Sequence, residues 1–135
     1  MEVKLLNDNL WYPTDKIFIN GQWKDCHSKN RLPIENPSNG EVIAEISDSC
    51  DIDIDEAVNS ASKALDNSWG DLTASERGRL LLKLSELVRN RIDNLAIIES
   101  FDVGKPLKQA KSDALALARY FEFYGGASDK IMGET

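Results

Sequence analysis

The residues best suited to chemistry are few, because the chain has two cysteines and a single histidine. Cys26 and His27 are adjacent, and Cys50 lies well beyond them. This set is too small and too widely spaced for a zinc site, which takes four ligands. Neighbours on a strand point to opposite faces, which argues against Cys26 and His27 as a nucleophile and its base. We therefore expect half-buried or surface thiols in a reducing compartment.

The acidic residues around Asp51, Asp53, Asp55 and Glu56 have some of the spacing of a calcium loop. A calcium loop also needs glycine at its sixth position and a closing glutamate, and both are missing here. Acids at the start of a helix are the better interpretation. The chain also has no Ser-His-Asp set and no glycine-rich phosphate loop of either common type. We predict no catalytic and no cofactor-binding residue in this chain.

Length and charge limit the classes of partner. A chain of 135 residues is about one domain long. It has 23 acidic and 16 basic residues, giving a net charge of -7, and the charges are interleaved, which argues against nucleic acid. The apolar runs are too short to span a membrane. The first residues lack a signal-peptide pattern, so we expect a cytoplasmic location.

The first part of the chain predicts two β-hairpins. Residues 1–15 show no sustained period and are expected to form a loosely held arm. Asn20-Gly21 between short apolar runs is typical of a type I′ turn. Farther on, Pro33 and Pro37 keep residues 32–37 extended. A turn at residues 38–40 and a strand at residues 41–46 complete the second hairpin.

From Asp51 onward the apolar period changes to that of amphipathic helices. Thr73 and Glu76 have the spacing of a capping box, and a bend is expected at residues 90–93. Gly104 and Pro106 end one helix before the last one begins. The predicted buried stripe of the middle helices is Leu80, Leu81, Leu84, Leu87, Val88, Leu95 and Ile98. Small residues on the last helix indicate close packing against a neighbour.

Several short segments, taken in order, resemble the N-terminal part of the aldehyde dehydrogenase superfamily. They are residues 17–23, 34–43, 55–58, 69, 76–77 and 102–106. The resemblance implies an α/β fold to which this chain contributes two small β-hairpin units followed by amphipathic helices, without a complete Rossmann-type sheet. It also implies that residues 16–135 are the incomplete N-terminal part of a cofactor-binding domain. Residues 30–34 and 104–107 are similar to betaine-aldehyde and aminoaldehyde dehydrogenases.

The resemblance implies a parent enzyme that oxidises an aldehyde to a carboxylic acid with NAD or NADP. In that family the nucleophilic cysteine, the general-base glutamate and the nicotinamide-binding segment come later in the polypeptide. The chain alone is therefore expected to be inactive and to bind neither NAD nor NADP. Its expected partners are the remainder of the polypeptide, further copies in a homo-oligomer and a small aldehyde.

Two smaller sites follow from the same resemblance. In several family members backbone carbonyls hold a structural K+ or Na+, and the matching residues here are Ile34, Glu35 and Asp102. Neutral oxygens suit such hard monovalent cations, although a purely structural turn is the alternative. In the aminoaldehyde subgroup an acid on the substrate-tunnel rim attracts cationic aldehydes, and Asp113 matches one such position. The other matching position holds Ala116, so an ordinary solvated Asp113 stays open.

A different class of function is a stand-alone helical interaction module that binds another protein through its apolar helix faces. The stretch Gly133-Glu134-Thr135 has no signal of a domain end, which favours a fragment of the enzyme over this module. An isolated fragment leaves helix faces uncovered, so we expect self-association or partial disorder.

Overall fold

The computed structural model describes residues 14–134. Most of the predicted arm, residues 1–15, and the aromatic residue Trp11 therefore lie outside the described residues. The chain divides into two compact units, Met1–Asn67 and Ser68–Thr135, here called the strand unit and the helical unit. The grouping of residues 16–135 within one larger domain stays a prediction.

The strand unit begins with the first predicted hairpin. Strands β1 (Lys16–Ile19) and β2 (Gln22–Asp25) pair antiparallel, with Phe18 opposite Trp23. Asn20 and Gly21 have φ values of 54° and 74°, which are the two positive angles that a type I′ turn needs. The prediction from Asn-Gly is confirmed.

The second hairpin is also confirmed. Strands β3 (Arg31–Glu35) and β4 (Val42–Ser47) pair antiparallel, and Pro33 lies within β3 opposite Glu45. The pairing shifts register between Ile34 and Glu35. Such a shift breaks the regular ladder of backbone hydrogen bonds at that point.

Helix α1 (Asp51–Asp66) closes the strand unit. Its N-cap is Cys50, and Asp53 at the third helical position completes a capping box with it. Asp53 is also the largest fully buried side chain among the described residues, with 1% of its surface exposed. The acid predicted to be simple helix-terminal charge therefore lies inside the unit.

The helical unit has three helices: α2 (Ala74–Arg89), α3 (Ile92–Val103) and α4 (Leu107–Ala127). Thr73 caps α2, accepting from the Glu76 N–H at 3.3 Å while the Glu76 carboxylate accepts from the Thr73 N–H at 2.8 Å. The predicted break lies at Asn90 and Arg91. Gly104, with φ of 70°, ends α3 in the left-handed conformation, and Pro106 is the N-cap of α4.

Small residues bring α2 and α4 close together. Ala110, Ala114, Ala118 and Gly125 are buried on α4, and Gly78, Ser85 and Val88 are buried on α2. A Cβ added to Gly78 would lie 2.6 Å from the backbone oxygen of Gly125. Ser85 Oγ donates to the Ala118 carbonyl at 2.7 Å. Close packing of the last helix is therefore confirmed.

The predicted leucine stripe is wrong for most of its members. Val88 is buried at 8% exposure, but Leu80, Leu87 and Leu84 are exposed by 47%, 51% and 38%. The reason is that α4 approaches the glycine and serine side of α2, where backbones can come closer than leucines allow. Leu80, Leu84 and Leu87 of α2 are therefore left exposed.

The predicted fold class agrees with the architecture of the described residues, which is two antiparallel strand pairs and four helices without a closed sheet. In the same part of the chain, no helix is long and apolar enough to cross a membrane.

Candidate functional site

The densest polar arrangement in the strand unit is the Asp53 cluster, which comprises Asp53, Cys26, His27 and Cys50. Asp53 Oδ2 accepts from Cys26 Sγ at 2.9 Å, from Cys50 Sγ at 3.3 Å and from the Cys50 N–H at 3.0 Å. Asp53 Oδ1 accepts from the His27 N–H at 3.1 Å and lies 2.8 Å from His27 Nδ1. Because an ionised carboxylate can only accept, His27 carries a proton on Nδ1.

The donors of the Asp53 cluster keep the carboxylate ionised. The Cys26 thiol, then the Cys50 N–H and the His27 ring, hold the pKa of Asp53 far below its usual range, although burial works in the opposite direction. The same hydrogen bond to Asp53 raises the pKa of the Cys26 thiol. This is the opposite of what activates a cysteine nucleophile, since the thiolate is the reactive form.

Sequence reasoning missed this cluster. It placed Cys26 and His27 on opposite faces of a strand, and that placement is wrong because β2 ends at Asp25. Beyond the strand the backbone turns and brings both residues to the same carboxylate. The spacing from Cys50 to Asp53, which is that of a capping box, is the signal that would have pointed to a capping role.

Two further charged residues border the Asp53 cluster. Glu56 forms an ion pair with Lys24, and its other oxygen lies 4.0 Å from His27 Nε2. Among residues 14–134, no three histidine, cysteine, aspartate or glutamate side chains are arranged to hold a metal ion. The arrangement acts as a structural connection from the end of β2 to the start of α1.

In the helical unit, the Lys105 cluster comprises Lys105, Glu99, Asp113 and Gln109. Lys105 Nζ lies 2.5 Å from Glu99 Oε1 and 2.6 Å from Asp113 Oδ2. Gln109 Nε2 donates to Asp113 Oδ1 at 3.0 Å, and Ser100 Oγ donates to the Lys105 carbonyl at 2.7 Å. The cluster joins the end of α3 to the first turns of α4.

Lys105 and Asp113 stabilise each other's charged form. Asp113 and then Glu99 raise the pKa of Lys105, and Lys105 lowers the pKa of Asp113. Asp113 is thus ion-paired, although it shares the single Lys105 ammonium with Glu99. Its role at a tunnel rim stays a prediction.

A groove of about 450 Å³ runs between α3 and α4. It brings together two of the predicted site residues, Asp102 and Asp113, and the full lining is Leu95, Ile98, Glu99, Asp102, Asp113, Ala114 and Leu117. Asp102 lies in the last turn of α3. Its carbonyl cannot accept the usual helical hydrogen bond from four residues ahead, because Pro106 has no N–H.

The other two predicted cation ligands, Ile34 and Glu35, lie at the register shift of the second hairpin. They belong to the strand unit, whereas Asp102 belongs to the helical unit. At the register shift and at the end of α3 the regular backbone hydrogen bonding is interrupted. A backbone carbonyl at such a place can take another partner, such as a cation. The cation site stays a prediction.

A second groove lies on the aromatic face of α4, which is formed by Tyr120, Phe123 and Tyr124 with Ala116 and Arg119. The three aromatic side chains are exposed by 63%, 68% and 60%. These aromatic side chains therefore lie on an exposed side of α4.

Residues 23–135 match the Aldehyde dehydrogenase family. This match covers most of the chain, and the strand pairs and helices described above match the N-terminal part of solved structures of that family. The chain belongs to the aldehyde dehydrogenase family.

The most similar curated relatives include human "Retinal dehydrogenase 2", which is 42% identical over 94% of this chain and 25% of its own length. "Betaine aldehyde dehydrogenase" of Bacillus subtilis is 38% identical over 87% of this chain and 24% of its own length. The relatives thus include the predicted betaine subgroup and also enzymes named for other aldehydes. The chain spans about a quarter of the length of these relatives.

Solved structures give the same result. A putative aldehyde dehydrogenase from Burkholderia cenocepacia is 49% identical, with a TM-score of 0.85 over 88% of this chain and 25% of that one. Betaine aldehyde dehydrogenase from Staphylococcus aureus, solved in complex with NAD+, is 30% identical, with a TM-score of 0.84 over 89% of this chain and 24% of that one.

Proposed function

We propose that this chain is the N-terminal segment of an NAD(P)-dependent aldehyde dehydrogenase that oxidises an aldehyde to a carboxylic acid. The segment supplies part of the cofactor-binding domain, with residues 16–135 contributing scaffold and not catalytic groups. The parent enzyme is a cytoplasmic homo-oligomer. By itself the chain neither binds the nicotinamide cofactor nor turns over aldehyde.

One observation carries the proposal, which is the structural agreement with the Burkholderia cenocepacia protein over 88% of this chain and only 25% of that one. Agreement of this extent supports a chain that is about a quarter of a larger protein. The chemistry of the described residues is consistent with a scaffold, because the two polar clusters are internally satisfied. The Asp53 carboxylate is buried and surrounded by donors, and Lys105 is held between two acids.

Uncovered apolar surface supports a larger parent. Leu80, Leu84 and Leu87 on α2 and the aromatic face of α4 are all exposed. Exposed patches of this kind mark surfaces that another polypeptide covers. We assign that cover to the remainder of the dehydrogenase polypeptide.

Two local roles belong to the same proposal. Ile34, Glu35 and Asp102 provide carbonyl ligands for K+ or Na+ in the assembled parent. The thermal stability of the parent should therefore rise with KCl at constant ionic strength. Because backbone carbonyls bind the cation, Asp102→Ala should leave this rise unchanged.

Asp113 lies at the rim of the substrate tunnel. Because Lys105 offsets part of its charge, Asp113→Asn should change the preference for cationic over neutral aldehydes only slightly.

The direct test is a chimera in which this chain replaces the matching N-terminal quarter of the Burkholderia cenocepacia protein. We expect the purified chimera to reduce NAD or NADP in the presence of an aldehyde. Neither this chain alone nor the remaining three quarters alone should do so. The measurement is absorbance of the reduced cofactor with a panel of aldehydes.

Two results would contradict the proposal. The first is aldehyde-dependent cofactor reduction by the 135-residue chain alone, above a buffer blank. The second is a soluble, folded chimera that lacks activity while the intact Burkholderia cenocepacia protein has it. A matched pair of chimeras sharpens the test: Gly78→Val should abolish activity with assembly, and Gly126→Ala, where an added Cβ meets nothing, should keep both.

The alternative is a stand-alone helical module that uses the exposed faces of α2 and α4 to bind another protein. The exposed aromatic face of α4 favours it, but it gives no reason for a family match that also includes the second strand pair, β3 and β4. A monodisperse monomer of this chain with a sharp cooperative melt would favour the module. Self-association or partial unfolding of the isolated chain is the outcome expected for the dehydrogenase segment.

A further inference from the structure

The two cysteines of this chain, distant in sequence, meet at one oxygen atom. Cys26 Sγ lies 2.9 Å and Cys50 Sγ 3.3 Å from Asp53 Oδ2, so the distance between the two sulfurs cannot exceed the sum of these values. Both are free thiols, and both are only partly buried. They are also the only cysteines in the sequence. The fold thus holds two partly exposed thiols against the same carboxylate oxygen.

We propose that Cys26 and Cys50 are a redox-active pair, which a hydroperoxide oxidises to an intramolecular disulfide that removes the thiol hydrogen bonds of Asp53. This device is independent of the aldehyde chemistry proposed above. In the oxidised chain the disulfide joins the end of β2 to the N-cap of α1 covalently. In the reduced chain the hydrogen bonds to Asp53 make this connection.

The reaction balances in two steps. One thiol, as its thiolate, attacks the peroxide, the O–O bond breaks, and a sulfenic acid and an alcohol form. The second thiol then attacks that sulfur, the S–O bond breaks, water leaves, and the S–S bond forms. The two thiols lose two electrons and two protons in total, and the peroxide is reduced to the alcohol and water.

Forming the bond requires movement at the Asp53 cluster. The sulfurs must approach to about 2 Å, which excludes the Asp53 oxygen from its position against both of them. Oxidation also consumes two of the donors to Asp53, although the Cys50 and His27 N–H groups remain. The hydrogen bond from Cys26 favours the protonated thiol, so the pair should react slowly and respond to sustained oxidant.

The test is intact-mass analysis of the 135-residue chain after treatment with hydrogen peroxide, followed by alkylation of the remaining thiols. We expect the mass to fall by that of two hydrogen atoms, no thiol to be left for alkylation, and a monomer on a non-reducing gel. Dithiothreitol should restore both thiols. A second readout is carboxyl NMR, in which the apparent pKa of Asp53 should be higher in the oxidised chain than in the reduced chain.

Cys26→Ser and Cys50→Ser are the matched controls, because a serine hydroxyl can still donate to Asp53 and preserve the cluster. Each variant should gain oxygen on its remaining thiol and should never lose two hydrogens. Any of three results would overturn the proposal: both wild-type thiols gaining oxygen separately, disulfide-linked dimers as the main product, or two thiols that stay free while the single-cysteine variants are oxidised.

Discussion

Each of the two units is stabilised internally by a different kind of contact. The strand unit contains the buried carboxylate of Asp53, which accepts hydrogen bonds from five donor groups of two segments. The helical unit has a contact between α2 and α4 made of glycine, alanine and serine, where backbones approach directly. The first depends on charge and hydrogen bonds, and the second depends on the absence of side-chain volume. The stability of the strand unit should therefore depend on pH and oxidation. The stability of the helical unit should depend on substitutions that enlarge its small residues.

The largest expected effect is that of Gly78→Val. Its Cβ would lie 2.6 Å from the Gly125 oxygen, and backbone cannot give way as a flexible side chain can. Overpacking of this kind costs up to about 3 kcal/mol. We expect the helical unit to lose this stability in chemical denaturation, and its amides to exchange faster with solvent while those of the strand unit do not. Unchanged hydrogen exchange in α2 and α4 would contradict the prediction, because it would mean that the helices can move apart without losing stability.

The next largest effect is that of Asp53→Asn, which keeps the shape of the side chain but removes its charge. An amide cannot accept from all five donors, so some of them lose their partner. We expect a fall of several degrees in the melting temperature and faster hydrogen exchange in the first turn of α1. Asp55→Asn, two positions along α1, is the control and should leave both measurements near those of the unchanged chain.

The same carboxylate gives the strand unit its pH dependence. The pKa of Asp53 is lowered from an ordinary value of 3.8, so its contribution to stability is present above that value and is lost as pH falls below it. We expect acid to unfold the strand unit before the helical unit, as measured by hydrogen exchange in each. In Asp53→Asn this difference between the units should disappear. Simultaneous acid unfolding of both units in the unchanged chain would contradict the comparison.

The sequence was sufficient for the parts of the fold that local rules control. Asn20-Gly21 predicted the first turn, Thr73 and Glu76 predicted the start of α2, and Gly104 predicted the end of α3, because each effect acts within a few residues. The leucine stripe failed because amphipathicity shows which face is apolar, but not which face a partner covers. The side of α2 that packs is the one where Gly78 and Ser85 permit the closest approach.

The Asp53 cluster was beyond prediction for a similar reason. Cys26 and Asp53 lie in different elements, and only the turn after β2 brings them together. The resemblance predicts a role for Asp113, but the pairing of Asp113 with Lys105 depends on how α3 ends and α4 begins. Contacts between elements follow from tertiary geometry, which residue types and spacing do not specify.

A smaller effect is expected at the Lys105 cluster, where Lys105→Met breaks both ion pairs. All three charged side chains are about one-third exposed, so solvent screens their interaction and the melting temperature should fall less than in Asp53→Asn. The pKa of Lys105 is raised above its ordinary 10.5, so its contribution is complete below that pH and is lost as pH rises through the higher value. Lys105→Met should remove this alkaline dependence from the helical unit, which thermal melts at neutral and alkaline pH would detect. A larger fall than in Asp53→Asn would show that these partly exposed charges contribute more to stability than the buried carboxylate, against the comparison.

The smallest effect is expected for Gly126→Ala, which is the control for Gly78→Val. Gly126 is the neighbour of Gly125 on α4, yet an added Cβ there meets nothing within 4 Å. Alanine has less backbone freedom to lose on folding than glycine, so α4 should become more stable by up to about 1 kcal/mol. The same methyl group at Gly125 would lie 3.0 Å from the Gly78 oxygen and should destabilise the unit. Chemical denaturation of Gly125→Ala and Gly126→Ala therefore compares the same substitution on the buried and on the open side of α4. Equal changes in the free energy of unfolding would contradict a packing contact limited to the buried side.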